Sequence, residues 1–207
     1  MVENINDKVY MAVLVSGGGT NLQALIDAEK DGSLSPCEIC LVISNNEDAY
    51  ALKRAENEGI KALVCKDESK LLKILNDERI DMLVLAGYLK ILTGRFIRNF
   101  QKPIINIHPS LIPSFCGKGC YGLHVHEKAL EYGVKISGAT VHFVNEIPDG
   151  GEIILQKAVE VKPYDTPVTL QRRIMEEAEW KLLPQACVIV GNEIIGAKRR
   201  KKEDCII

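Results

Sequence analysis

The stretch Val9-Tyr-Met-Ala-Val-Leu-Val-Ser-Gly-Gly-Gly-Thr-Asn21 decides the fold of this chain. Its first seven residues form a continuous apolar run rather than an alternating one, as a parallel strand covered on both faces requires. Glycines follow at once, and Thr20 to Glu29 then carries Leu22, Leu25 and Ile26 at helical spacing. A strand, a glycine turn and a helix in that order open an α/β domain.

Working outward, the same alternation continues. Strands are predicted at Ile39–Ile43, Ala62–Cys65, Met82–Ala86 and Ile104–Ile107, with helices at Asp48–Glu58 and Ser69–Asn76. Short connections in this order give an open, mostly parallel, right-handed sheet. The second half changes character. Pro109–Leu123 is a Pro/Gly-rich loop, and His124–Glu131 reads as a helix. Val134–Val144 and Ile153–Val161 are β-rich runs expected to form an antiparallel pair. Pro167–Val190 reads as a long helix with an interruption at Pro184. The expected fold class is therefore α/β, an open twisted sheet of about seven strands flanked by helices.

Bulk properties bound the function. A chain of 207 residues fits one core, and no linker or repeat divides it. A net charge of -2 gives no general attraction to nucleic acid or an anionic membrane. No apolar run approaches the roughly 20 residues needed to span a bilayer. Met1-Val2-Glu3-Asn4 lacks the basic and apolar regions of a signal peptide, so a cytoplasmic location is expected. Seven cysteines, an odd number and scattered, suit reduced thiols. Cys37 and Cys40 look like a metal-binding pair, but three residues apart on a strand they face opposite sides. The basic run Lys198-Arg-Arg-Lys-Lys202 reads as a solvated, frayed tail.

Ser16-Gly-Gly-Gly-Thr-Asn21 is the first candidate site. Glycines permit a tight turn and leave backbone N–H groups uncovered at a helix N-terminus, where the dipole favours an anion. No Walker lysine follows, and Leu22 stands where a dinucleotide fingerprint needs its third glycine. A monophosphate suits the loop better than NAD or ATP.

Asn106-Ile-His-Pro-Ser110 is the second. Residues two apart on a strand share a face, so Asn106 and His108 point together while Ile107 returns to the core. Pro109 holds His108 extended and ends the strand at the carboxyl edge of a parallel sheet, where α/β proteins bind ligands. An amide donor can stabilise a developing oxyanion, and an imidazole can shuttle a proton near neutral pH. A strand-end cap with a satisfied histidine would use the same residues, and spacing alone does not separate the two. Asp149, in the turn Pro148-Asp-Gly-Gly151, would fix the His108 tautomer and raise its pKa if it lay beside the ring. Taken by itself it is a turn aspartate.

These residues together resemble the phosphoribosylglycinamide formyltransferases of purine synthesis. The resemblance rests on Ser16–Ala24, Leu83-Val-Leu-Ala-Gly-Tyr88, Asn106-Ile-His-Pro-Ser-Leu-Ile-Pro113, His142-Phe-Val144 and Asp149-Gly-Gly151, and it covers nearly the whole chain. It implies a 10-formyltetrahydrofolate co-substrate, a 5-phosphoribosylglycinamide acceptor and no metal. The acceptor amine would attack the formyl carbon directly. Asn106 would stabilise the tetrahedral oxyanion, and His108 would donate and shuttle the proton. Asp149 would orient His108, raise its pKa and position a water. Gly19, Thr20 and Asn21 match phosphate-binding positions, and Glu176 with Glu179 match contacts to the acceptor ribose. Leu89-Lys90-Ile91-Leu92 matches the segment packed against the pterin, with Asn106 also at the folate.

The resemblance further implies one formyltransferase domain over residues 1–197, followed by the basic tail 198–207. Within the domain, 1–100 would be a Rossmann-like phosphate-binding half and 101–197 a catalytic and folate-binding half. Partners would be small molecules, with no nucleic acid or membrane, in a monomer or homodimer. Phe115–Gly122 is longer than the corresponding loop of many members, and the segment between Cys65 and Asp81 is short, leaving Lys70 unassigned as a folate contact. Cys116, Cys120, His124 and His126 match no standard zinc spacing. Formyltetrahydrofolate hydrolases and methionyl-tRNA formyltransferases usually carry an added domain, for which 207 residues leave no room. A phosphate-binding module without chemistry is disfavoured by Asn106, His108 and Asp149.

Overall fold

In the computed structural model, which describes residues 8–204, Val9–Val15 is strand β1 and serves two cores at once. Val9, Met11, Val13 and Val15 face one core, while Ala12 and Leu14 face the other. Burial on both faces is what removes the polar alternation from this run. Each large aliphatic side chain so buried contributes about 1.5–3 kcal/mol relative to exposure. Met1-Val2-Glu3-Asn4 and the last three residues of the chain lie outside the described residues.

The elements follow in alternation: α1 (Thr20–Lys30), β2 (Cys37–Ser44), α2 (Tyr50–Asn57), β3 (Lys61–Val64), α3 (Glu68–Asp77), β4 (Met82–Leu85), α4 (Gly94–Phe100) and β5 (Ile104–His108). Then come α5 (Leu123–Tyr132), β6 (Ile136–Phe143), β7 (Ile153–Glu160), α6 (Pro167–Ile174), a π-helical turn (Met175–Glu179) and α7 (Trp180–Asp204). One seven-stranded sheet has the order β3-β2-β1-β4-β5-β6-β7. The first five strands pair in parallel, while β5–β6 and β6–β7 are antiparallel. Helices α1, α6 and α7 cover one face through Leu22, Leu25, Leu170 and Leu183. Helices α3 and α4 cover the other through Leu71, Leu75, Phe96 and Phe100. Strand order reverses between β1 and β4, and the crevice at such a switch point is where open α/β sheets take ligands.

Cys37 belongs to one core and Cys40 packs against the other, as their strand spacing requires. Three features differ from the sequence expectations. Helix α4 is additional; the Thr93 hydroxyl caps it by accepting from Phe96 N–H (3.2 Å), and Phe96 and Phe100 bury its inner face. The long C-terminal helix changes pitch at Met175–Glu179, before Pro184 rather than at it. Pro184 sits just past the first turn of α7, where the helical bond it removes is to the residue adjoining the π turn. The supposed tail from Lys198 continues α7 to Asp204, and Lys198 is anchored by an ion pair to Asp81 (2.8 Å). Among the described residues, no helix is long and apolar enough to cross a membrane.

Candidate active site

The carboxyl ends of β1, β4 and β5 open into one cavity of about 580 Å³. Ser16 ties the ends of β1, β2 and β4 together: its hydroxyl donates to Asn45 Oδ1 (2.7 Å) and accepts from Leu89 N–H (2.9 Å). Its own N–H donates to the Gly87 carbonyl (3.1 Å). Gly17–Asn21 line one end of the cavity. Gly19 has φ 72°, and a Cβ there would lie 2.6 Å from Ala51 Cβ, so both its backbone and its packing demand glycine. A left-handed residue directly before a helix directs successive N–H groups to one side, forming an anion nest.

Asn21 does more than extend that loop. Its side-chain Nδ2 donates to Glu179 Oε2 at 2.6 Å in a buried contact. Glu179 is 4% exposed, and burial pushes its carboxyl up to about 7 despite the Asn21 bond, which acts downward. Gln171, Met175 and Glu179 line the cavity at intervals of four, the pattern of one wound face. Glu176 does not share that face. Its carboxylate accepts from Arg172 Nε (2.8 Å) and stands outside the cavity. The π turn separates two glutamates that an ordinary helix would set on adjacent positions.

At the other end, Asn106 and His108 both line the cavity while Ile107 packs in the core. The antiparallel register places His142 of β6 opposite Asn106. His142 Nδ1 donates to the Phe143 carbonyl (2.8 Å), and Nε2 lies 3.1 Å from Asn106 Nδ2 and 3.7 Å from Asp149 Oδ1; in the tautomer with its proton on Nδ1, Nε2 accepts from the Asn106 amide. This bond fixes the amide and leaves its second N–H for a cavity ligand. Sequence reading assigned His142 no role of its own; its signal lies in the cross-strand register with Asn106.

His108 is bonded at one ring nitrogen and faces a carboxylate with the other. Nε2 lies 3.0 Å from the Phe115 carbonyl, and Nδ1 lies 3.8 Å from Asp149 Oδ2. Both neighbours are acceptors, so only the doubly protonated ring satisfies both. Burial opposes that charge and is the largest influence; it leaves the His108 pKa below its ordinary value, although Asp149 acts upward. The upward influence expected of Asp149 is present, but desolvation of a ring only 4% exposed outweighs a carboxylate not in direct bonding contact.

Asp149 has φ 54° in the turn after β6, and Gly151 behind it admits no side chain, since a Cβ would lie 1.7 Å from the Phe143 carbonyl. Burial raises the Asp149 carboxyl, but His142, the charge of His108 and the Gly117 N–H together bring it net below its usual value. Gly117 N–H donates to Asp149 Oδ2 at 2.7 Å, so the long loop after β5 is docked on this carboxylate. Lys118 from that loop lines the cavity, a basic group that no sequence motif singles out.

Leu89, Ile91 and Leu92 form an apolar wall, with Leu89 59% and Ile91 65% exposed. Lys90 turns away and donates to the Lys66 carbonyl (3.0 Å). Lys70 lies in the first turn of α3 and does not line the cavity. Cys120 lies beside Lys128 Nζ (3.2 Å), His124 pairs with Glu127 (2.8 Å), and His126 is fully buried. Among the described residues, no group of three or more His, Cys, Asp or Glu side chains is placed to hold a metal ion. A wider groove of about 900 Å³ runs between α1 and α7, but it touches none of Asn106, His108 and Asp149.

A glycine loop at a helix N-terminus, an apolar wall and an amide–imidazole–carboxylate cluster surround one cavity of an α/β fold, and residues 9–187 match the formyl transferase family. The phosphoribosylglycinamide formyltransferase of Haemophilus influenzae is 43% identical over 183 residues, covering 84% of this chain and 83% of that protein. The human trifunctional purine biosynthetic protein adenosine-3 is 42% identical over 194 residues; the match covers 89% of this chain but only 18% of that protein. The crystal structure of glycinamide ribonucleotide transformylase 1 from Symbiobacterium toebii superposes with a TM-score of 0.85 at 38% identity, covering 93% of this chain and 92% of that one. The chain belongs to the formyl transferases and, within them, to the phosphoribosylglycinamide formyltransferase family.

Proposed function

We propose that this protein transfers a formyl group from 10-formyltetrahydrofolate to the amine of 5-phosphoribosylglycinamide, a step of purine synthesis. The observation that carries the reading is the single cavity, with an anion nest at one end and Asn106, His108 and Asp149 at the other. A volume of about 580 Å³ lies within the range typical of small-ligand sites, about 300–1,000 Å³. The exposed faces of Leu89 and Ile91 suit a flat heteroaromatic ring, which gains by leaving water. Lys118 suits a folate carboxylate at the cavity mouth.

Gly19, Thr20 and Asn21 would bind the acceptor phosphate through backbone N–H groups, and Glu179 would accept from the ribose hydroxyls. That fixes the acceptor amine against the formyl carbon. As the amine nitrogen bonds to this carbon, the carbonyl oxygen gains charge and takes the free N–H of Asn106. Such a donor is typically worth about 10²–10³ in rate. Collapse breaks the bond from the formyl carbon to the folate nitrogen. One proton leaves the attacking nitrogen and one reaches the departing nitrogen, and His108, held by the Phe115 carbonyl and facing Asp149 at 3.8 Å, carries it. The products are formylated acceptor and deformylated folate, and the protein ends as it began. No metal enters the proposed reaction.

In this reading residues 1–197 act as one domain, with the phosphate end built by the first hundred residues and the proton path by the rest. Its partners are the two small-molecule substrates. Incubation with both substrates, followed by mass spectrometry of the acceptor, tests it. The expected product is the acceptor carrying one formyl group on its amine. Recovery of unmodified acceptor and free formate would point to hydrolysis instead.

A further inference from the structure

The glycine loop is held from behind by α2. The N–H of Ala51 donates to the Gly17 carbonyl (3.1 Å), and Arg54 Nε donates to the Gly18 carbonyl (2.8 Å). Both carbonyls are thereby drawn towards α2, while Gly17–Asn21 line the cavity on their other side. A peptide whose carbonyl turns away from the cavity offers its N–H edge to the cavity. Arg54 Nη1 also donates to Gln23 Oε1 in α1 (2.9 Å), and its guanidinium lies over the Tyr50 ring at 5.1 Å. The side chain thus joins α2, the loop and the start of α1. Among the described residues, no carboxylate forms an ion pair with Arg54; its partners are a neutral carbonyl and a neutral amide. A guanidinium fixed this way leaves its charge free to act on an anion across a thin layer of backbone.

We infer that Arg54 is the positioning residue that makes the loop selective for a phosphorylated acceptor: it holds the Gly18 carbonyl away from the anion and sets a cation behind the nest. This rests on the acceptor proposed above and adds a residue that does not itself line the reaction cavity. Lysine carries the charge but cannot reproduce the fork that holds Gly18 and Gln23 together. Methionine keeps much of the apolar stem and loses both charge and donors.

The test measures initial rates with phosphoribosylglycinamide and with its dephosphorylated ribonucleoside, using one donor, for the native protein, Arg54→Lys and Arg54→Met. In Arg54→Met we expect the preference for the phosphorylated acceptor to fall about tenfold or more, through a higher KM with kcat within about twofold. Kinetics with the dephosphorylated acceptor stay as in the native protein, and Arg54→Lys lies between. Equal losses on both acceptors, or an unchanged preference, would overturn the inference. If Arg54→Met does not fold, the same comparison on Arg54→Lys decides it. If the native protein formylates neither acceptor, the proposed function has failed. Titration with inorganic phosphate then still tests Arg54: weaker binding in Arg54→Lys supports the role, and equal binding contradicts it.

Discussion

At one end of the cavity, five consecutive residues, Gly17 to Asn21, supply the surface proposed to bind the phosphate. At the other, Asn106 and His108 depend on His142 from β6, the Phe115 carbonyl from the loop after β5, and Asp149 from the turn after β6. The first end is contiguous in sequence and fixed by backbone geometry. The second is assembled by register across an antiparallel pairing and by docking of a long loop on one carboxylate. A contiguous backbone site responds mainly to changes of charge or of glycine. An assembled site is sensitive at every segment that holds it.

The strongest way to break that contrast is at the assembled end. We expect His108→Ala and Asp149→Asn to lower kcat by about 10²–10⁴-fold while the protein keeps its native circular dichroism, because each removes a member of the proton path. Near-native kcat in either would discard that path. At the contiguous end, Thr20→Asp puts a carboxylate against the acceptor phosphate. Acceptor KM should rise about tenfold or more with little change in kcat. An unchanged KM would remove the loop from phosphate binding.

His142 sharpens the comparison, since it bears on Asn106 and Asp149, both at the assembled end. His142→Ala should lower kcat about three- to tenfold, the worth of one orienting hydrogen bond, and leave acceptor KM alone. An equal rise in acceptor KM would mean that the two ends are not separable. Glu179 gives a smaller, pH-dependent effect. Its carboxyl is pushed up to about 7 by burial, and the ionised form is the better acceptor for ribose hydroxyls. Acceptor KM should therefore fall as pH rises through about 7, and Glu179→Gln should flatten that dependence. Stability runs the other way. A folded-state pKa above the unfolded value of 4.5 favours the protonated fold, so this contribution is full below about 4.5 and lost as pH rises through about 7. A melting temperature that does not decline across this window relative to Glu179→Gln would contradict a net burial cost for this carboxylate. The smallest effect is expected at Glu176, whose pairing with Arg172 is exposed: Glu176→Gln should leave both constants within about twofold.

The same contrast explains what could be read from the sequence. The run Val9–Val15, the glycine loop and the shared face of Asn106 and His108 are local, and each follows from φ/ψ preference or from a period of two or 3.6 residues. The sheet class followed from those local patterns. The contact between His108 and Asp149 depends on the β5–β6 register and on a left-handed residue at Asp149, neither of which a local pattern specifies. The motif His142-Phe-Val144 does not reveal the contact His142 makes, because only the cross-strand pairing sets its Nε2 against Asn106. Glu176 and Glu179, three residues apart, would share one face of an α-helix, and the π turn at Met175–Glu179 removes that periodicity. The downward pKa of His108 needed its burial, which spacing does not reveal.

The most direct measurement follows the absorbance of the folate as it loses its formyl group, with and without phosphoribosylglycinamide. Coupling of the two ends of the cavity predicts turnover only when the acceptor is present, with one folate deformylated for each acceptor formylated. Deformylation at the same rate without acceptor, or no turnover when both substrates bind, would contradict it.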